Sequence, residues 1–193
     1  ASDQLMVFQI AGASPARATG EPVGDIDPKL PAVTLDEESG EPSIAKPEGQ
    51  APKDLVVQPL IQGEGAEVGA QDYVTVQYKG VKWSDGEEFD SSWSRDELSG
   101  FQLTGVIEGW TEGLQGQKVG SQVLLVVPPA KGYGGSEHEL AEETLVFVVD
   151  LVGNPRGMDF LLRDCANMCG WFRSRGLEVD EQELFADLMA HAF

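Results

Sequence analysis

Val106-Ile107-Glu108-Gly109-Trp110-Thr111-Glu112-Gly113-Leu114 is the stretch around which the middle of the chain organises. Ile107, Trp110 and Leu114 fall at i, i+3 and i+7, so a helix here carries them on one apolar stripe. Gly109 and Gly113 occupy another side, each at a helix-propensity cost of about 1 kcal/mol. Glycines at that spacing let the helix lie very close to a neighbouring surface.

On both sides of this helix the sequence reads as strand. Val74-Thr75-Val76-Gln77-Tyr78-Lys79 alternates at period two, which puts Val74, Val76 and Tyr78 on one buried face. Val123 to Val127 is a continuous apolar run stopped by Pro128-Pro129, as expected of a strand buried on both sides. Leu145, Phe147, Val149 and Leu151 share a face of a further strand. Trp83-Ser84-Asp85-Gly86-Glu87 supplies an Asp-Gly turn between strands. One amphipathic helix against an antiparallel sheet is an α+β arrangement.

The ends differ from the middle. Residues Thr19 to Lys53 are rich in Pro, Gly and acid, which predicts a disordered acidic arm or linker. Ahead of it, Leu5 to Ile10 is a short apolar run consistent with a strand. Met158 to Trp171, and the stretch opened by Asp180-Glu181-Gln182-Glu183, predict a helical C-terminal extension. The expected divisions are therefore residues 1–53, 54–152 and 153–193.

The formal charge of −20 argues against nucleic acid or anionic lipid as a partner and for a soluble monomer. No run reaches the ~20 apolar residues that cross a bilayer. No secretory start or initiator Met is present, so the chain reads as processed or excerpted. Cys165 and Cys169, four apart, read as half-buried thiols on a helix. His138 and His191 lie in no zinc or triad motif, and His138 reads as a solvated loop residue. Asp25-Ile26-Asp27 and Asp36-Glu37-Glu38 lack calcium-loop spacing. Neither metal nor cofactor is expected.

Several motifs occur in an order that resembles the FKBP family of peptidyl-prolyl cis-trans isomerases. They are Val76-Gln77-Tyr78-Lys79-Gly80, Asp85-Gly86 through Phe89-Asp90-Ser91-Ser92, the helix segment with Val119-Gly120-Ser121 after it, Gly132-Tyr133-Gly134, and Thr144-Leu145-Val146-Phe147. The resemblance implies an antiparallel β half-barrel wrapped around the one short helix, with the active pocket between them. It implies Tyr78, Asp90 and Tyr133 as catalytic residues. Substrate would contact Phe89, Arg95, Val106, Ile107, Trp110, Leu140 and Phe147. The implied partners are proline-containing peptides and unfolded proteins, and macrolides such as tacrolimus or rapamycin. A non-catalytic chaperone or protein-binding module of the same fold is the alternative.

Two departures from the family stand out. Ser99 sits where the family has an aromatic, two residues before Phe101. The loop from Gly135 to Glu143 is short and acidic and lacks the familiar Ile-Pro, leaving Leu140 to supply an apolar contact. The run before Asp54 is similar to the linker of secreted bacterial FKBP lipoproteins. That implies an extracytoplasmic, secreted or envelope-attached protein, whereas the Cys pair fits the cytoplasm.

Overall fold

The computed structural model describes residues 17–153, together with Cys169 and Arg173. The chain divides into two compact units, Ala1–Gly153 and Asn154–Phe193. In the second, Cys169 and Arg173 are helical, and Cys169 is a free thiol that is fully buried rather than half-buried. The expected strand at Leu5–Ile10, the rest of the C-terminal helices, Cys165 and His191 lie outside the described residues.

The first unit is built from β1 (Glu21–Pro22), β2 (Val33–Leu35), β3 (Pro42–Ile44), β4 (Val56–Gln62), β5 (Tyr73–Lys82), β6 (Glu88–Ser91), β7 (Ser99–Gln102), α1 (Glu108–Leu114), β8 (Gln122–Val127) and β9 (Leu145–Gly153). Seven strands form one antiparallel sheet, six of them in the order β1-β4-β8-β9-β5-β6 and the seventh, β7, paired with β5 off that path. The start of β5 pairs with β7 (Tyr73 opposite Gln102) and its end with β6 (Lys79 opposite Ser91). The β5–β6 turn is the expected Asp-Gly turn: Gly86 takes φ +78°, which a Cβ would resist, and Asp85 accepts a 2.8 Å bond from the Glu87 N–H.

The period-two pattern assigns the faces as the sequence suggests. Val74, Val76 and Tyr78 of β5, Val123, Leu125 and Val127 of β8, and Leu145, Phe147, Val149 and Leu151 of β9 meet Trp110 and Leu114 of α1 in one apolar cluster. Helix and sheet approach through the two glycines. A Cβ at Gly109 would lie 2.6 Å from Val127 Cγ1, and one at Gly113 would lie 2.5 Å from Leu125 Cδ2. The propensity lost at both positions is exchanged for backbone-to-side-chain contact along β8.

The opposite face of the same strands is also dry. Val81, Trp83, Leu124, Val126, Val146 and Val148 form a second cluster, with Leu60. Against it pack Leu30, Val33, Ile44, Ala51 and Val56. Composition predicts a disordered arm, and for residues 17–53 that expectation is corrected: β2 and β3 form a hairpin with Val33 opposite Ile44, and sparse apolar side chains dock on the sheet. The arm begins at a buried carboxylate. Asp150 accepts bonds from the Ala18 N–H (2.9 Å) and Gln122 Nε2 (2.7 Å), while burial pushes its carboxyl above the usual range. Trp83 Nε1 donates to the Gly49 carbonyl at 3.3 Å and ties the arm's far end.

An ordered arm has a measurable consequence. Removing most of a half-buried aliphatic side chain costs roughly 1–2 kcal/mol, so Ile44→Ala is expected to lower unfolding free energy by that amount in urea titration. A change below a few tenths would mean the hairpin does not dock.

Candidate active site

Trp110 projects from α1 into the cluster it shares with the sheet and is almost fully buried. Three rings stand nearly perpendicular to its indole: Tyr78 at 5.2 Å between centroids, Phe147 at 5.4 Å and Phe101 at 5.5 Å. Phe89 continues the wall, edge-on to Phe147 at 5.5 Å. Edge-to-face packing at these spacings fixes each ring in one orientation. β5 supplies Tyr78, β6 supplies Phe89 and β9 supplies Phe147, because alternation puts all three on the inner face. Val106 and Ile107 lead into α1 and pack half-buried against the same cluster, as does Tyr133. The Trp110 indole N–H is buried with no hydrogen-bond partner among the described residues.

A polar arm closes one side of this cage. Tyr78 donates its hydroxyl proton to Asp90 Oδ2 at 2.5 Å, and Arg95 Nη2 donates to the same hydroxyl at 2.9 Å. Arg95 Nη1 bonds Asp90 Oδ1, so both carboxylate oxygens are engaged. Arg95 lies at the end of a 3-10 turn, Trp93–Arg95, after which Asp96 takes a left-handed φ of +52° and reverses the chain. Burial first, and then the bond to Asp90, push the Tyr78 phenol up to about 12. The bonds to Asp90 and then Tyr78 raise the Arg95 guanidinium further above its ordinary range. At neutral pH the phenol is therefore a fixed neutral donor and cannot serve as a base.

The other side is made by the loop after β8. Lys131 bonds Glu108 (2.5 Å) and Glu112 (2.8 Å), pinning the loop's start to α1. Tyr133 stacks flat on His138 at 4.0 Å and 9°. His138 Nδ1 accepts the Leu140 N–H at 3.1 Å, and Leu140 is buried in the cage's cluster. His138 is exposed, yet this stacking and bonding make it part of the loop's frame and not merely a solvated residue.

Of the ten residues inferred from the sequence, eight lie in this one apolar cluster, and Asp90 and Arg95 form the polar arm bonded to Tyr78. Two contributors were named in the sequence only as a departure from the family and not counted among the site residues. Phe101 stands on the inner face of β7, and its alternation with the exposed Gly100 and Gln102 carries a faint period-two signal. Ser99, on the same face, accepts from Arg95 Nη2 at 3.4 Å. No cluster of three or more metal-ligating side chains is found among the described residues.

Among the described residues one antiparallel sheet and one α-helix thus enclose a cluster of aromatic rings. Residues 65–152 match the family model described as FKBP-type peptidyl-prolyl cis-trans isomerase. A probable FK506-binding protein of Corynebacterium glutamicum is 50% identical over 113 residues, 58% of this chain and 96% of that one. An FK506-binding protein of Streptomyces anulatus is 42% identical over 117 residues, 58% of this chain and 94% of its own. The FKBP-type peptidyl-prolyl cis-trans isomerase FkpA of Escherichia coli is 45% identical over 100 residues, but only 37% of its length is matched. The chain belongs to the FKBP-type peptidyl-prolyl cis-trans isomerase family, and its reaction is rotation about the Xaa-Pro bond.

The Tyr78 environment is open to titration. A phenol whose folded-state value lies above its unfolded one contributes stability below about pH 10, and that contribution is lost as pH rises toward about 12. Ultraviolet titration is expected to show a tyrosinate step near pH 12 that Tyr78→Phe abolishes. Survival of that step in the variant would place the perturbed phenol elsewhere.

Proposed function

We propose that residues 54–152 accelerate prolyl rotation by binding the twisted amide in the cage, acting on proline-containing peptides and unfolded proteins and so assisting folding. The observation that carries this reading is the Trp110 indole, ringed edge-on by three aromatics in the apolar cluster between helix and sheet. A prolyl amide resists rotation by ~18–20 kcal/mol because resonance gives its C–N bond double-bond character. The orthogonal state loses that resonance and is less polar. A dry aromatic surface therefore disfavours the planar ground state more than the twisted one, which is catalysis by differential binding.

Trp110 supports the proline ring, and Tyr78, Phe89, Phe101 and Phe147 wall it. The Ile107 N–H and the Tyr133 hydroxyl bond to no other described residue, which leaves both free to hold substrate carbonyls. Asp90 has both oxygens occupied by Tyr78 and Arg95, which favours a holding role over direct polarisation of the amide. Two relatives named for binding FK506 support affinity for macrolides such as tacrolimus or rapamycin. High negative charge supports a monomer. The linker's likeness to secreted lipoproteins supports an extracytoplasmic place.

A second reading, a non-catalytic chaperone or binding module, is favoured by one observation: Leu140 already fills part of the cluster. Protease-free NMR exchange on a Leu-Pro peptide separates the two. Folded protein is expected to accelerate exchange, and Trp110→Leu to lower kcat/KM at least tenfold, roughly 1.4 kcal/mol of transition-state binding. Folded wild-type protein that leaves the exchange rate unchanged would leave only the binder.

A further inference from the structure

The cage's rim is electrostatically one-sided. From Gly86 to Gly153 the cationic side chains are Arg95, Lys118 and Lys131. Arg95 is taken up by Asp90, and Lys131 by Glu108 and Glu112 together. Lys118 pairs its backbone with Glu67 in an isolated β-bridge and forms no ion pair among the described residues. The two cations bonded to the site's own elements, Arg95 and Lys131, are thus both paired.

Acids are left over. Glu137, Glu139 and Glu142 are exposed and form no ion pair among the described residues. Their position is set by the cage itself. Glu137 precedes His138, whose ring stacks on Tyr133, and Glu139 precedes Leu140, which is buried against the rings. The loop is braced further by Ala141 N–H to His138 O (3.0 Å) and Glu143 N–H to Leu140 O (3.1 Å). Glu143 itself accepts from Ser84 through both carboxylate oxygens, neutral donors that leave its charge uncompensated. Exposed carboxylates are thus held within one residue of two cage contacts. A substrate chain extends about 3.3 Å per residue, so two or three residues beyond the proline span about one screening length of ~10 Å.

We propose, on the footing that the cage is a prolyl isomerase site, that the loop from Glu137 to Glu142 selects prolyl segments flanked by Lys or Arg. Attraction across the mouth raises the encounter rate and lowers KM for cationic segments, and repels acidic ones. The apolar cage still chooses the proline and its immediate neighbour; charge acts one or two residues further out. The selection belongs to the loop and not to the overall charge of −20.

Three peptides with the same Leu-Pro-Phe centre, flanked on both sides by Lys, Gln or Glu, test this with the full chain. NMR exchange without protease gives kcat/KM for each. The expected order is Lys, Gln, Glu, with a Lys-to-Glu ratio of about tenfold at about 10 mM ionic strength that falls several-fold at about 0.5 M. Neutralising the loop as Glu137→Gln, Glu139→Gln and Glu142→Gln is expected to shrink the ratio at least threefold while leaving the Gln peptide unchanged. Neutralising three exposed acids of the arm, Asp25→Asn, Glu37→Gln and Glu48→Gln, is expected to change it little. A ratio near one, or one that follows the arm variant as strongly as the loop variant, overturns the selection while the isomerase reading stands. Failure to accelerate any of the three peptides overturns the isomerase reading itself.

Discussion

The site depends on how closely α1 can approach β8. Gly109 and Gly113 bring the helix backbone onto Val127 and Leu125, and only at that distance does Trp110 sit among Tyr78, Phe101 and Phe147. Any side chain on the glycine face would lift the helix and open a gap beneath the indole. Packed interiors do not absorb such a gap by flowing into it. Two residues with poor helix propensity therefore sit in a seven-residue helix whose stability comes from the sheet.

The sheet must in turn be stiff, and it is held from both sides. The strands that present Phe147 and Tyr78 inward present Val146, Val148 and Val81 outward, and the arm's hairpin covers these. The polar arm adds a second kind of rigidity. Tyr78 is fixed by ring contacts at one end and by Asp90 and Arg95 at the other, so its phenol cannot turn without breaking both bonds. The cage is thus pre-shaped before any substrate arrives, which is where an enzyme without covalent chemistry must place its stabilisation.

Much of this was legible in the sequence because the signals were local and periodic. Alternation in β5 and β9, the apolar run of β8 and the helix stripe fix which residues face inward, and the motif order then gathers distant aromatics into one family pattern. Phe101 was recognised by family register but not counted in the site, because β7 is only Ser99–Gln102 and its glycine leaves too little alternation to show which way the ring faces. The docked arm was missed for a different reason. Its apolar residues, Leu30, Val33, Ile44 and Ala51, are spaced too widely to register against acid and proline. The clue lay in the strands they cover, since strands apolar on both faces require a second layer. His138 looked solvated because a flat stack on Tyr133 and a bond from Leu140 two residues on leave no pattern in composition.

The central claim is that a proline ring rests on the Trp110 indole. The most direct measurement is the indole N–H region of a proton–nitrogen NMR spectrum during titration with a Leu-Pro peptide. The Trp110 signal, whose N–H is unpartnered, is expected to shift progressively, while that of Trp83, bonded to Gly49 on the opposite face, stays in place. Binding that moves the Trp83 signal and leaves Trp110 untouched would contradict the account.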